Sequence, residues 1–354
     1  MSSPAADHAR LAHLNAQISL LTRALWDLHS EKRRVLVRLD SYKYYPVLTL
    51  PAEIVSEIFL HCLPIYPLFP PLLGPSSPTV LTQICRKWRE IALTTPALWR
   101  AISLSELAIP IGEQAKLVDT WLTRSRCLPV HFQFSNRFAP SRAAEVLASV
   151  VPHRARWEYL DLHHLPPSHV HIVAGPMPLL RRLEWLPHNP TTKKFACREV
   201  PLLRTAVLND VAAGSVILPW VQLTSLTLLR VYPEECVPIL QHTFNLVHCQ
   251  LALVARYDDE DTLPDITLPY LRSLTLDGDA LGTEILEALI VPALHDLRIA
   301  ESFFGSNIID ALASFLLPSR CLLQELCITD RAVVSKKSYR KAFPSINISF
   351  AKSL

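Results

Sequence analysis

Apolar residues along this chain follow three rhythms in turn, and the first is helical. Leu11, Leu14, Ile18, Leu21, Leu25, Leu28, Val35 and Leu39 recur at alternating spacings of three and four, with Lys32 taking one slot. Sustained over about four heptads, this is the a/d seam of a coiled coil, and a lysine at an a position lowers stability while helping to fix register. No Gly or Pro interrupts residues 8–41, and Pro46 supplies the stop. Leu20, Ala24, Trp26 and Leu36 widen the stripe. An amphipathic helix lying back on the chain therefore stays open beside the coiled coil.

The second rhythm is also helical but broken in two. LTLPAEIVSEIFLHCLP (48–64) puts Pro51 at a helix's first turn, Thr49 before it as a cap, and Glu53 where the macrodipole favours it. Ile54, Ile58 and Leu63 continue one apolar face, with Val55, Phe59 and Cys62 alongside. LTQICRKWREIALTTPALWRAISL (81–104) again carries apolar residues on more than one side, through Val80, Leu81, Ile84, Cys85, Trp88, Ile91 and Ala92. That is more apolar surface than short helices need inside a small domain. Six prolines separate the halves, over residues 64–79. Such an insert cannot be helical and need not be ordered, and a spacer explains it better than a polyproline ligand, since no basic residue flanks it.

The third rhythm is that of strands. L-x-x-L-x-L units begin at Trp157, Leu180, Leu203, Leu223, Leu246, Leu271, Leu294 and Leu323, so successive starts lie 20 to 29 residues apart. Pro178, Pro201, Pro269 and Pro292 each stand two residues ahead of a unit, where they break the preceding segment and orient the strand. Strands are also expected at Ala101–Leu104, Val130–Phe134 and Ser345–Phe350, and helices near 112–126, 140–151, 234–243, 283–290 and 305–317. The division that follows is a heptad helix over 8–45, a helical module over 46–104 with its insert, and a repetitive region over 105–354.

Composition narrows the chemistry. Seven glycines in 354 residues is well under the usual ~7%. GxGxxG, GxxxxGK[ST] and GxSxG, which need glycine where backbone meets ligand, are absent. A net charge of +3 without a basic cluster gives no case for nucleic acid. No apolar run approaches the ~18 residues of a membrane span, and the amino terminus lacks a signal core, so cytoplasm or nucleus is expected. The eight cysteines show no CxxC pairing and read as reduced thiols. His163, His164, His169 and His171, with Asp161 near, lack a fixed zinc geometry. The acidic run Asp258–Asp261 lacks the turn glycine of a calcium loop. Both read as solvated loops, and the basic group Lys336, Lys337, Arg340 and Lys341 as a solvated helix face. No catalytic, cofactor-binding or metal-ligating residue is assigned.

LPxEI, CRKWREIA and PALWRAI, occurring in that order, resemble an F-box of the form seen in many fungal proteins, in which a proline-rich loop separates the halves. The resemblance covers under a fifth of the chain. It implies a three-helix module docking on the Skp adaptor of a cullin-based (SCF) ubiquitin ligase. Carried over by position, the docking residues are Leu50, Pro51, Ile54, Ile58, Phe59, Leu81, Ile84, Cys85, Trp88 and Leu98, with Trp99 nearby. An ordinary helical hairpin with Trp88 and Trp99 in its own core is the plainer alternative.

The later units resemble an irregular leucine-rich-repeat solenoid, although the asparagine expected after each strand is missing nearly everywhere. A plain α/β domain with parallel strands is the alternative. The implied fold is α/β: a long helix, a three-helix F-box, then the solenoid. Its concave face would carry the residues between the leucines, Tyr159, Asp161, Arg182, Glu184, Ser225, Thr227, Ser273, Thr275, Asp296, Arg298 and Glu325. The implied function is that of a non-catalytic substrate receptor, with the Skp adaptor and an unidentified protein substrate as partners and self-association through the first helix open. A non-ligase scaffold, assembled through coiled coil and repeat surface, is the competing function.

Overall fold

The computed structural model describes residues 4–43, 47–104, 111–134, 140–163, 165, 167–190, 194–254, 263–278, 284–305, 307–329 and 333–351. The chain divides into two units, Met1–Val55 and Ser56–Leu354.

The first unit is dominated by one helix, α1, Pro4–Lys43. Its expected stop at Pro46 lies outside the described residues. Leu11, Ile18, Leu21, Leu25 and Leu28 of the heptad seam are exposed, and so are Leu20, Trp26 and Val37. Apolar side chains thus stand on more than one face of α1.

The second unit is built on a parallel sheet of eleven strands. These are β1 (Ala101–Leu104), β2 (Val130–Phe134), β3 (Trp157–His163), β4 (Arg182–Leu186), β5 (Thr205–Asn209) and β6 (Ser225–Val231), followed by β7 (His248–Leu253), β8 (Ser273–Gly278), β9 (Asp296–Ile299), β10 (Glu325–Ile328) and β11 (Asn347–Phe350). Each pairs with the next in sequence, so spatial order equals chain order. Parallel neighbours cannot be joined by a tight hairpin, which is why each strand is followed by a crossing segment. Several of these segments are helices: Ile111–Arg124, Pro140–Val150, Pro233–Leu240, Glu284–Ala288 and Ile308–Ser319. Most are close to where the apolar pattern predicts them; the expected 283–290 helix gives way at Leu289–Ile290 to a short strand paired with Ile266–Thr267.

The apolar rhythm maps directly onto register. Leu160, Leu183, Ala206, Leu226, Cys249, Leu274, Leu297 and Leu326 lie opposite one another on successive strands. Leu162, Trp185, Leu208, Leu228, Leu251, Leu276, Ile299 and Ile328 form the next inward row. Both rows are buried, as is the residue that opens each unit. A one-residue slip on any strand would turn its apolar set outward, so burial enforces the register. Each fully buried leucine of this kind contributes about 1.5–3 kcal/mol.

The prolines act through turns. The N–H groups of Leu180, Leu203, Leu271 and Leu294 donate to the carbonyls of Met177, Val200, Leu268 and Val291. Pro178, Pro201, Pro269 and Pro292 therefore occupy the second position of a four-residue turn, where their fixed φ is already correct. One glycine is also required by position. At Gly278, with φ +117°, an added Cβ would lie 2.0 Å from the Leu253 carbonyl oxygen.

Candidate functional site

The helix α2, Ala52–His61, carries two apolar faces with different fates. Val55 and Phe59, four apart, are each 1% exposed. Ile54 and Ile58, also four apart on the neighbouring stripe, are 50% and 42% exposed. Side chains at i and i+4 lie one above the other, so one stripe is used for the core and the other is left uncovered.

The second helical pair repeats this. Ser77 caps α3 (Pro78–Ile84), its hydroxyl accepting from Thr79 N–H at 3.2 Å and donating to the Leu72 carbonyl at 2.9 Å, with Pro78 at the first helical position. Leu81 is buried, whereas Ile84 is 54% exposed. Cys85 then ends α3 and caps α4 (Arg86–Thr94), its Sγ accepting from Trp88 N–H at 3.4 Å. The three-residue spacing of CxxW is thus a capping spacing. Arg89 Nε ties α4 back to the Thr82 carbonyl at 2.6 Å. Half-buried Trp88 meets Phe59 edge-on at 5.0 Å. Trp99 is fully buried, donates from Nε1 to the Ala92 carbonyl at 2.9 Å, and packs on Trp121 at 5.3 Å.

Of the ten residues expected at a docking surface, Phe59, Leu81 and Leu98 are inside. Their contribution is to hold the helices. Leu50, Cys85 and Trp88 are half-buried, and Pro51, Ile54, Ile58 and Ile84 are exposed.

The proline-rich insert differs from its expectation as a loose spacer. It is docked on the start of the sheet. Tyr66 donates from its hydroxyl to Glu158 Oε2 at 2.9 Å, and its ring lies under the Arg100 guanidinium at 3.7 Å and edge-on to Tyr159 at 5.6 Å. Arg100 and Arg181 pair with the same Glu158 at 3.1 and 3.3 Å. Burial first, then the hydrogen bond to Glu158, pushes the Tyr66 hydroxyl well above its ordinary range, which keeps it a donor. Phe69 packs on the His131 ring at 3.9 Å with the planes tilted by 41°, while His131 bridges the Pro67 carbonyl at 2.5 Å and Asp161 Oδ2 at 3.1 Å. Leu72 and Pro70 are buried. Proline-rich sequence restricts the backbone without preventing its aromatic residues from finding a surface.

The eleven residues expected on the open face of the strands fall in two register rows. Tyr159, Arg182, Ser225, Ser273, Asp296 and Glu325 share one, completed by Thr205 and His248. Asp161, Glu184, Thr227, Thr275 and Arg298 share the other, completed by Val207, Gln250 and Cys327. Thr205, Val207, His248 and Gln250 were not among the expected outward residues because the expectation did not follow the rows through every unit. Tyr159 packs on Tyr66 of the insert, and buried Asp161 holds His131, which in turn meets the insert at Pro67 and Phe69. Glu184 accepts from Arg182 Nη2 and pairs with His163 Nε2 at 2.7 Å. Burial works against its charged form, but the bonds from His163 and Arg182 outweigh it and hold the carboxyl below the usual range.

Burial pushes the thiols of Cys197 and Cys236 up, and that of Cys249 to about 12, a direction that disfavours the nucleophilic thiolate. Among the described residues no group of three His, Cys, Asp or Glu could hold a metal ion, and no helix is long and apolar enough to cross a membrane. The acidic run 258–261 and His164 lie outside the described residues.

Residues 47–105 match the F-box-like family model. No curated protein matches the chain.

Proposed function

We propose that the chain is a non-catalytic substrate receptor of an SCF-type ubiquitin ligase. Its F-box-like segment docks on the Skp adaptor, and its parallel sheet is an irregular leucine-rich-repeat solenoid that binds the target protein. The observation that carries the reading is the coincidence of the F-box-like match over 47–105 with uncovered isoleucines at positions 58 and 84 of the second unit. In the second unit Cys85 and Trp88 border the adaptor contact, while Phe59, Leu81 and Leu98 shape it from within; in the first, Leu50, Pro51 and Ile54 are docking residues by the family motif alone. The sequential parallel strands and inward leucine rows support the repeat reading. Target residues are sought in the two outward rows beyond the insert, at Arg182, Glu184, Ser225, Thr227, Ser273, Thr275, Asp296, Arg298 and Glu325.

A second reading, a scaffold without ligase role, is favoured by one observation: α1 exposes its heptad seam from Leu11 to Leu39. Reconstitution separates the two. The full chain, purified Skp adaptor and cullin are mixed and run by size exclusion. Co-elution of all three, lost when Ile58→Asp is introduced, supports the receptor. Absence of a complex with the wild-type chain leaves the scaffold.

A further inference from the structure

Where the chain turns into each strand, the second unit carries a groove of about 780 Å³ that crosses the starts of β5 to β9. Arg204 stands on one side and Arg272 three strands away, with Gln222, Thr224, Asn245 and Tyr270 also lining it and no acidic side chain among the lining residues. The backbone holds these positions in place. Thr224 N–H donates to the Arg204 carbonyl at 2.9 Å, Val247 N–H to that of Thr224 at 2.8 Å, and Arg272 N–H to that of Val247 at 2.9 Å. Three steps of ~4.8 Å set the two arginines about 14 Å apart.

Charge at this edge is arranged differently from that earlier in the sheet. On the neighbouring strands Arg100 and Arg181 meet Glu158, and Arg182 meets Glu184. Among the described residues neither Arg204 nor Arg272 meets a carboxylate. Among the described residues Arg204 donates through Nη1 alone, to the carbonyls of Pro201 and Leu203. The amides between them are oriented. Gln222 Nε2 donates to the carbonyls of Val200 and Leu203, and Asn245 Nδ2 to that of Val221. Their own carbonyl oxygens remain as acceptors for main-chain N–H groups of an incoming segment. Tyr270, 59% exposed, adds a ring at the Arg272 end.

We propose that this groove binds an extended protein segment carrying two acidic side chains, carboxylate or phosphate, about four residues apart at ~3.3 Å per residue. It deepens the target-recognition part of the receptor reading and rests on it. The site lies beside the outward rows, at the strand starts.

The test uses the full chain and fluorescent peptides with Glu, phosphoserine or Gln at the two positions, followed by anisotropy. The acidic peptides are expected to bind at least about tenfold tighter than the Gln peptide, as loss of charge-assisted bonds implies. Arg204→Glu with Arg272→Glu is expected to remove that preference. Lys337→Glu with Arg340→Glu, the same charge change on the C-terminal helix, is expected to keep it. A tighter phosphoserine peptide assigns phosphate, and equal affinity assigns carboxylate. The proposal is overturned if neither acidic peptide binds, if the Gln peptide binds as well, or if both double variants lose binding equally. Arg272→Gln, checked by circular dichroism, repeats the test with a milder change. Adaptor binding, measured on the same variants, reports separately on the receptor reading.

Discussion

Replacing Tyr66 by Ala tests whether the proline-rich insert is held by specific contacts. The side chain makes three: the 2.9 Å hydrogen bond to Glu158, the 3.7 Å approach of Arg100 over its ring, and the edge contact with Tyr159. A hydrogen bond to a charged acceptor contributes about 1.5–3 kcal/mol. A partly exposed cation–π pair adds about 0.5–1 kcal/mol, and an aromatic pair about 0.5–1.5 kcal/mol. One ring serves the last two, so they are not independent and about 3 kcal/mol is a fair total. The readout is hydrogen exchange at two amides bonded inside the insert, Leu68 N–H to the Ile65 carbonyl and Ser77 N–H to that of Gly74. If undocking governs their exchange, it should accelerate roughly a hundredfold in the variant, while amides of the central strands keep their rates. Tyr66→Phe, which keeps the ring and loses the hydrogen bond, should give a change of about ten- to a hundredfold. Exchange within about twofold of wild type in Tyr66→Ala would refute the docking argument.

Other outcomes follow from the same geometry. Because the Glu184 carboxyl is held below its usual range, the stability it contributes is present above the ordinary value of about 4.3 and lost as pH falls through the folded value. Glu184→Gln should lower the melting temperature at neutral pH and flatten its fall below about pH 4. Buried Glu301 accepts from the N–H groups of Val333 and Val334 and from the Tyr339 hydroxyl at 2.9 Å. Glu301→Ala strands these donors and should cost about 2–4 kcal/mol, read as a lower urea midpoint. Deleting residues 1–43 should abolish self-association in sedimentation equilibrium, and a wild-type monomer at all concentrations would remove the coiled-coil reading of α1.

Much of the second unit was legible because inward residues of a sheet must repeat at fixed offsets. The eight L-x-x-L-x-L units coincide with β3 to β10, and the strands at Ala101–Leu104 and Val130–Phe134 appear where alternation places them. Local capping was equally readable in principle, since Ser77–Pro78 and the Cys85–Trp88 spacing are short-range signals. The insert was not. Tyr66 finds Glu158 ninety-two residues away, and Phe69 finds His131 on a strand whose outward face only the fold defines. A proline-rich run signals what the backbone cannot do, and says nothing about where its rings will land. The docking residues show a similar limit. A family motif marks Phe59 and Ile58 alike, yet one is buried and the other exposed. Adjacent helical positions differ by about 100°, so only packing separates core from surface. The Arg204–Arg272 groove was equally hidden, because its residues come from turns that align only after the sheet forms.

The most direct measurement is a calorimetric titration of the full chain with purified Skp adaptor, for wild type, Ile58→Asp and Ile84→Asp. Both positions are exposed, so folding should survive, and circular dichroism confirms it. A buried aspartate at a docking surface is worth several kcal/mol. Saturable binding by the wild type is expected, weakened about a hundredfold or more by either substitution. A folded wild-type chain that does not bind, or variants that bind as well as it does, would rule out adaptor docking through Ile58 and Ile84.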